Sequence, residues 1–123
     1  MSTKVGYQEL VVWQRAIELV PTVYTAIRDF PPNENFALSL QVRRAVVSIS
    51  ANIAEGQGRQ HRKEFLQHLS IAKGSLAELH SLLTVAHRLG YLDRAALDEL
   101  ETALSSVRRP LTGLLDTLAK SRR

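Results

Sequence analysis

Apolar residues recur at alternating steps of three and four along four stretches of the chain, and this spacing constrains the fold more than any other feature. The first stripe consists of Leu10, Trp13, Ile17, Val20, Tyr24 and Ile27, and the others run from Leu38 to Ile49, from Phe65 to Ala86 and from Leu97 to Leu118. A repeat of about 3.5 residues keeps each stripe on one face of a helix that packs nearly parallel to its neighbours. The sequence therefore predicts an all-α fold, an antiparallel up-down-up-down four-helix bundle.

A glycine and several polar capping residues predict where the helices begin and end. Asn33 or Asn35 can cap the second helix. Gly90 is a natural end for the third helix, and Asp93 can cap the fourth. The helices are predicted at about 8–29, 35–55, 61–89 and 94–120, in a single domain over 1–123.

Composition narrows the class of protein. The chain has 123 residues, of which 45% are apolar, and this is enough for one hydrophobic core. No run approaches the roughly 20 apolar residues that a membrane span needs, and the first residues lack the apolar centre of a signal peptide. There is no cysteine, so disulfides and thiolate chemistry are excluded. We expect a cytoplasmic protein that does not associate with a membrane.

The net charge of +4 is concentrated where the predicted topology brings three parts of the chain together. In an up-down bundle the chain start, the turn between helices 2 and 3, and the C-terminus share one end. The cations there are Lys4, Arg59, Arg62, Lys63, Lys120, Arg122 and Arg123. The carboxylates there are Glu9, Glu55 and Glu64. This basic end would attract phosphates, although basic tails that only keep the protein soluble are the alternative.

The second and third helices carry more apolar surface than one seam requires. These positions are Leu40, Val47 and Ala54 on helix 2, and Ile71, Leu82, Val85 and Leu89 on helix 3. A monomeric bundle would expose them, and contiguous exposed apolar patches usually mark contact surfaces. The pattern predicts a homo-oligomer that uses Leu40, Val47, Ala54, Ile71 and Leu82. The alternative is that the stripes are covered within one subunit.

A narrow polar line follows helix 2 between its two apolar faces. It consists of Gln41, Arg44, Ser48, Asn52 and Glu55. Arg44 and Glu55 are about 16 Å apart along the axis, too far to pair within one helix. If buried, these side chains need partners on another helix or another subunit. Asn52 falls in the seam, where one polar residue commonly fixes register and association, so Arg44, Asn52 and Glu55 are further interface candidates.

Gly74 lies in the middle of the third helix, where glycine costs about 1 kcal/mol relative to alanine. Ala72 and Ser75 beside it are also small. This combination predicts a close approach of a neighbouring helix at Gly74.

The run from Gln41 to Gly56, QVRRAVVSISANIAEG, resembles the signature of the four-helix-bundle proteins called 23S rRNA-intervening sequence proteins. Further matching elements are Leu10 with Val12–Trp13, Phe30–Pro31, Glu64–Leu66, Ile71–Leu76 with Glu78–Leu79, and Gly90–Leu92. The resemblance implies a homopentamer without established enzymatic activity. The accessory proteins of diversity-generating retroelements have a similar fold and bind a reverse transcriptase and nucleic acid. The resemblance therefore also implies that this protein contacts RNA or DNA.

No pattern of an enzyme or metal site is found. Di-metal sites in helical bundles use Glu-x-x-His pairs, whereas this chain has only the reversed His61-x-x-Glu64. His61 and His68 are about 10 Å apart along one helix, as are His80 and His87, so neither pair can chelate one ion. Nucleophile-elbow and phosphate-loop motifs are also missing. We expect no enzymatic activity, no cofactor and no metal.

These observations lead to two functional hypotheses. In the first, the oligomer binds RNA or DNA electrostatically through Arg59, Arg62 and Lys63. Further contacts would come from the C-terminal cations Lys120, Arg122 and Arg123. Arg43 and Arg44 would add charge to the outer or channel surface of the ring-like oligomer that the resemblance implies. In the alternative, the protein is a scaffold or accessory subunit whose helix 2 and helix 3 apolar surface docks another protein, such as a reverse transcriptase.

Overall fold

The structure is a computed structural model that describes residues 6–120. A 3-10 turn over Tyr7–Glu9 precedes helix α1, and a second one over Pro32–Glu34 precedes helix α2. The four α-helices are α1 (Val11–Ile27), α2 (Leu38–Gln57), α3 (Arg62–Arg88) and α4 (Arg94–Lys120). The described residues contain no strand, and the predicted all-α class is confirmed.

The four helices form a closed ring of neighbours. α1 packs against α2 and α4, and α3 also packs against α2 and α4, whereas no Cα atoms of the diagonal pairs α1–α3 and α2–α4 come within 8 Å of each other. Arg62 at the start of α3 contacts Leu118 near the end of α4, and His80 contacts Glu101. Residue numbers therefore fall along α4 as they rise along α3, so these two helices are antiparallel. The hydrogen bonds between α2 and α3 follow the same order, as an antiparallel four-helix bundle requires.

The predicted stripes of α2, α3 and α4 form the core. Fully buried side chains at their centres include Ile49, Leu79 and Leu104. None of the described helices is both long enough and apolar enough to cross a membrane. Burial of these stripes is the main favourable term in folding, at roughly 25 cal/mol for each Å² of apolar surface removed from water.

The buried face of α1 differs from the prediction by one row of residues. Ile17 is 40% exposed and Tyr24 is 41% exposed, so the prediction that they face the core is wrong. The buried row contains Ala16, Leu19 and Val23 instead. Both rows satisfy the three-four spacing. Packing against α2 and α4 selects the row with the small Ala16, because a small residue lets helix backbones approach closely.

The helix ends at the α3–α4 turn are as predicted. Gly90 has a φ of 86°, the left-handed conformation that glycine adopts without strain. The Tyr91 N–H donates to the carbonyl of Ala86 at 2.9 Å, which completes the C-terminal motif of α3. Asp93 Oδ1 accepts a hydrogen bond from the Ala96 N–H at 2.8 Å and so caps α4.

The start of α2 is stabilised differently from the prediction. Neither Asn33 nor Asn35 caps the helix. The turn at Pro32–Glu34 instead places the Glu34 carboxylate beside the helix, where Oε1 accepts a hydrogen bond from the Leu38 N–H at 3.2 Å. The other oxygen of Glu34 accepts a hydrogen bond from the Tyr91 hydroxyl at 2.9 Å. Glu34 therefore ties the first connection to the third at this end of the bundle.

Glycine allows close helix approach at Gly56 and not at Gly74. Gly56 is buried in α2, and a Cβ built on it would lie 2.7 Å from the Cβ of His68 on α3. Gly74 is exposed, and a Cβ there would meet nothing within 4 Å. The prediction for Gly74 is wrong because its side of α3 faces away from the neighbouring helices.

Candidate nucleic-acid and oligomer interfaces

The structure brings the start of α3 and the end of α4 together at one end of the bundle. Arg62 Nη1 donates a hydrogen bond to the backbone carbonyl of Leu118 at 2.8 Å. Lys63 and Lys120 are exposed beside this contact. Two of the predicted cations, Arg122 and Arg123, lie outside the described residues. The proposed phosphate contacts of Arg62, Lys63 and Lys120 therefore share one end of the molecule.

Carboxylates accompany the cations at this end. Arg59 Nη2 lies 2.7 Å from Glu55 Oε2, and both side chains are about half exposed. An exposed pair of this kind contributes at most about 1 kcal/mol to stability, but it offsets the positive charge of Arg59. The other carboxylates at this end are Glu9, Glu64 and Asp116. A positive excess at the basic end therefore depends on Lys4, Arg122 and Arg123, which all lie outside the described residues.

Arg43 and Arg44 lie far from the basic end. Arg44 is exposed and precedes Gln57, the last residue of α2, by about 20 Å along the helix axis. Arg43 is half-buried, and its Nη2 donates to the backbone carbonyl of Asn35 at 2.9 Å. The structure thus separates these two arginines from Arg59, Arg62 and Lys63.

Part of the predicted apolar surface is open in the single subunit. Val47 on α2 is 44% exposed and Ile71 on α3 is 52% exposed. Val85 and Leu89 are also exposed, towards the end of α3. The remaining candidates, Leu40, Ala54 and Leu82, are half-buried. We call these residues the α2–α3 apolar face; the bundle's own helices leave four of them exposed and cover the other three in part.

Two residues of the polar line on α2, Ser48 and Asn52, have partners on α3 in the same subunit. The Ser48 and Ser75 hydroxyls are 2.9 Å apart. The Asn52 amide nitrogen donates to the Ser48 carbonyl at 2.9 Å, and its Oδ1 lies 3.2 Å from His68 Nδ1. Since Oδ1 can only accept, His68 must carry a proton on Nδ1 for this bond to form. Asn52 therefore links α2 to α3 directly beside Gly56.

Nothing in the local sequence pattern pairs His68 and Ser75 with α2. Sequence patterns also do not group four cations that lie on three helices around the middle of α4: Arg15, Lys73, Arg108 and Arg109. The only local signal was the pair of adjacent arginines before Pro110. The described part of the chain contains no group of three or more side chains suited to hold a metal ion.

Comparison with known proteins identifies a family and a protein of similar fold. A family model described as "23S rRNA-intervening sequence protein" matches residues 8–113. The fold is also similar to the crystal structure of a protein of unknown function from the S23 ribosomal protein family of Bacteroides thetaiotaomicron VPI-5482, with a TM-score of 0.76 and 24% sequence identity. The similarity covers 85% of this chain and 98% of that one. At this identity the likeness concerns the fold alone. No curated protein matches the sequence.

Proposed function

The chain belongs to the 23S rRNA-intervening sequence protein family, and on that premise we propose that it is a non-enzymatic, cytoplasmic, oligomeric bundle that binds RNA or DNA electrostatically. The observation that carries the proposal is the hydrogen bond from Arg62 to the Leu118 carbonyl. It joins the α2–α3 turn to the end of α4, so cations that are distant in sequence lie together.

The basic end suits a phosphate backbone for two reasons. The unpaired N–H groups at the start of α3 point towards this end and add positive potential to Lys63 and Arg62. The chain also continues from Lys120 into Arg122 and Arg123. Each cation that neutralises a phosphate releases a counterion, so the affinity must fall as the salt concentration rises. No base specificity is expected, because the aromatic side chains near this end, Tyr7, Trp13 and Phe65, are all half-buried.

Oligomerisation would multiply this contact. The exposed Val47 and Ile71 support an interface on the α2–α3 apolar face, and the family resemblance implies a pentamer. Repeating one basic end around a symmetry axis makes later phosphate contacts intramolecular, which raises the overall affinity without any new type of contact. Light scattering on the purified protein tests this part of the proposal, and a monomer at micromolar concentration would refute it.

The binding experiment uses fluorescein-labelled single-stranded RNA and duplex DNA at roughly 50 and 200 mM salt. We expect both to bind the wild-type protein, with lower affinity at the higher salt concentration. The triple variant Arg59→Glu/Arg62→Glu/Lys63→Glu should lose binding while its mass by light scattering stays unchanged. Binding by this variant at wild-type affinity would show that the basic end is not the contact surface.

A second candidate function is supported by the exposed residues beyond those proposed for the oligomer. Val85 is 43% exposed and Leu89 is 54% exposed. A partner protein, for example a reverse transcriptase, could cover this part of the α2–α3 apolar face. If neither nucleic acid binds at low salt, the role of scaffold or accessory subunit becomes the better explanation.

A further inference from the structure

Four cations surround α4 at the middle of the bundle. Arg109 and Arg15 line the groove between α4 and α1. Arg108 and Lys73 line the groove on the other side, between α4 and α3. All four side chains are exposed. We call this set the basic belt.

Two hydrogen bonds hold arginines of the basic belt against α4. Pro110 has no N–H, so the carbonyl of Ser106 lacks its usual donor one helical turn later. Arg15 Nη1 donates to this carbonyl at 3.2 Å and so crosses from α1 to α4. Arg108 Nη1 donates to the Ser105 hydroxyl at 3.0 Å. A guanidinium has five N–H donors, so both arginines keep donors for a ligand.

No carboxylate among the described residues forms an ion pair with the basic belt. The ion pairs there join Glu55 to Arg59, Glu101 to His80, and Asp98 to Arg94, and none includes a belt residue. The carboxylates nearest to Arg108 along α4 are Glu101 and Asp116, each about two turns or 10–12 Å away. That separation is about one Debye length at physiological salt, so these two carboxylates offset Arg108 and Arg109 only weakly. On α1, Glu18 lies one helical turn from Arg15 and offsets part of its charge, so the positive excess of the belt rests on Lys73, Arg108 and Arg109.

We propose that the basic belt binds the phosphate backbone of a nucleic acid that crosses the outer side of α4. The belt reaches from α1 across α4 to α3, which lie diagonally across the bundle. Neighbouring helix axes are 8–10 Å apart, so this diagonal is roughly 11–14 Å. One phosphate cannot contact cations over that width, whereas a run of backbone phosphates can. This inference rests on the proposed function and extends the contact from the end of the bundle to its side.

The position of the belt is compatible with the proposed oligomer. α4 lies diagonally opposite α2 in the bundle. An interface that buries Val47 on the outer face of α2 therefore leaves Arg108 and Arg109 open. Each subunit of such an assembly would present its own belt to the same nucleic acid.

The test compares the salt dependence of RNA binding between matched variants. Arg108→Gln/Arg109→Gln removes two belt charges. The control, Arg28→Gln/Arg88→Gln, removes two exposed charges from the end of the bundle that lies opposite the basic end. With single-stranded RNA, the slope of log affinity against log salt should become shallower by about 1.4 in the belt variant, or about 0.7 for each lost phosphate contact. The control variant should keep the wild-type slope, as should Arg108→Lys/Arg109→Lys, which retains both charges. An unchanged slope in the belt variant, or an equal change in the control, overturns the proposal.

The same titration separates this inference from the function on which it rests. If the basic-end triple variant loses binding and the belt variant keeps the wild-type slope, the belt proposal fails and the basic end remains the contact surface. If the belt variant shows the shallower slope and the triple variant binds at wild-type affinity, the belt is the contact surface and the basic end is not. If wild-type protein binds neither RNA nor DNA at low salt, both proposals fail.

Discussion

Gly56→Ala should destabilise the bundle although alanine is the better helix former. A Cβ at position 56 would lie 2.7 Å from the Cβ of His68 and 3.0 Å from Cδ1 of Phe65. Optimal carbon–carbon contacts are about 3.5–4.0 Å, so the first overlap is close to 1 Å. The Cβ of His68 is fixed by the backbone of α3 and cannot rotate away. The two helices must therefore separate, and the neighbouring Asn52–His68 hydrogen bond must lengthen.

The size of the effect follows from two opposing contributions. Overpacking a core contact costs about 1–3 kcal/mol, and replacing glycine by alanine inside a helix gains up to about 1 kcal/mol. Gly74→Ala is the matched control, because its Cβ would meet nothing within 4 Å. The control should gain about 1 kcal/mol of stability. The difference between the two variants then isolates the overpacking cost, about 1–3 kcal/mol.

Urea unfolding provides the measurement, with circular dichroism and the fluorescence of the single tryptophan, Trp13, as independent probes. All three proteins must be compared at one protein concentration, because assembly would shift the apparent stability. We expect the midpoint to order as Gly74→Ala, wild type, Gly56→Ala, from highest to lowest. A Gly56→Ala protein as stable as the Gly74→Ala protein would refute the close approach of α2 and α3.

Two further substitutions test polar contacts between elements. Asn52→Ala should lower the free energy of unfolding by about 1–2 kcal/mol, because it leaves the half-buried His68 without its hydrogen-bond partner. If the variant unfolds at the wild-type urea midpoint, the Asn52–His68 hydrogen bond contributes nothing to stability. Tyr91 tests the opposite end of the bundle, because its hydrogen bond to Glu34, then burial and the charge of that carboxylate, raise its pKa above 10.0. The folded state therefore favours the neutral phenol, and this stabilisation is complete below pH 10 and is lost as the pH rises through the raised pKa. Tyr91→Phe should be less stable than wild type in thermal unfolding at pH 8, and this difference in stability should shrink above pH 10. A difference that does not depend on pH would contradict the Glu34 contact.

The sequence predicted the helices well because their signals are local. The three-four spacing identified the core of α2, α3 and α4, and the special residues Gly90 and Asp93 marked a helix end and a helix start. The start of α2 was missed for a definite reason. The capping carboxylate belongs to Glu34, whose position depends on the 3-10 turn and on Tyr91 from a distant part of the chain.

The candidate surfaces were only partly predictable. The exposure of Val47 and Ile71 followed from helix periodicity, because residues away from the seam of a helix face outward. The basic belt did not, since Arg15, Lys73 and Arg108 come from three helices and are separated by tens of residues. No local pattern indicates that such residues share one side of the molecule.

The amino-acid sequence by itself determined the fold class, the number of helices and the residues available for a core, because helix periodicity and chain-breaking residues act over one or two turns. Only the tertiary structure decided which row of α1 is buried, which glycine lies under a neighbouring helix, and which cations meet around α4. The physical reason is that these features depend on packing between helices. Packing is set by the shapes of side chains far apart in the sequence, and no short segment contains that information.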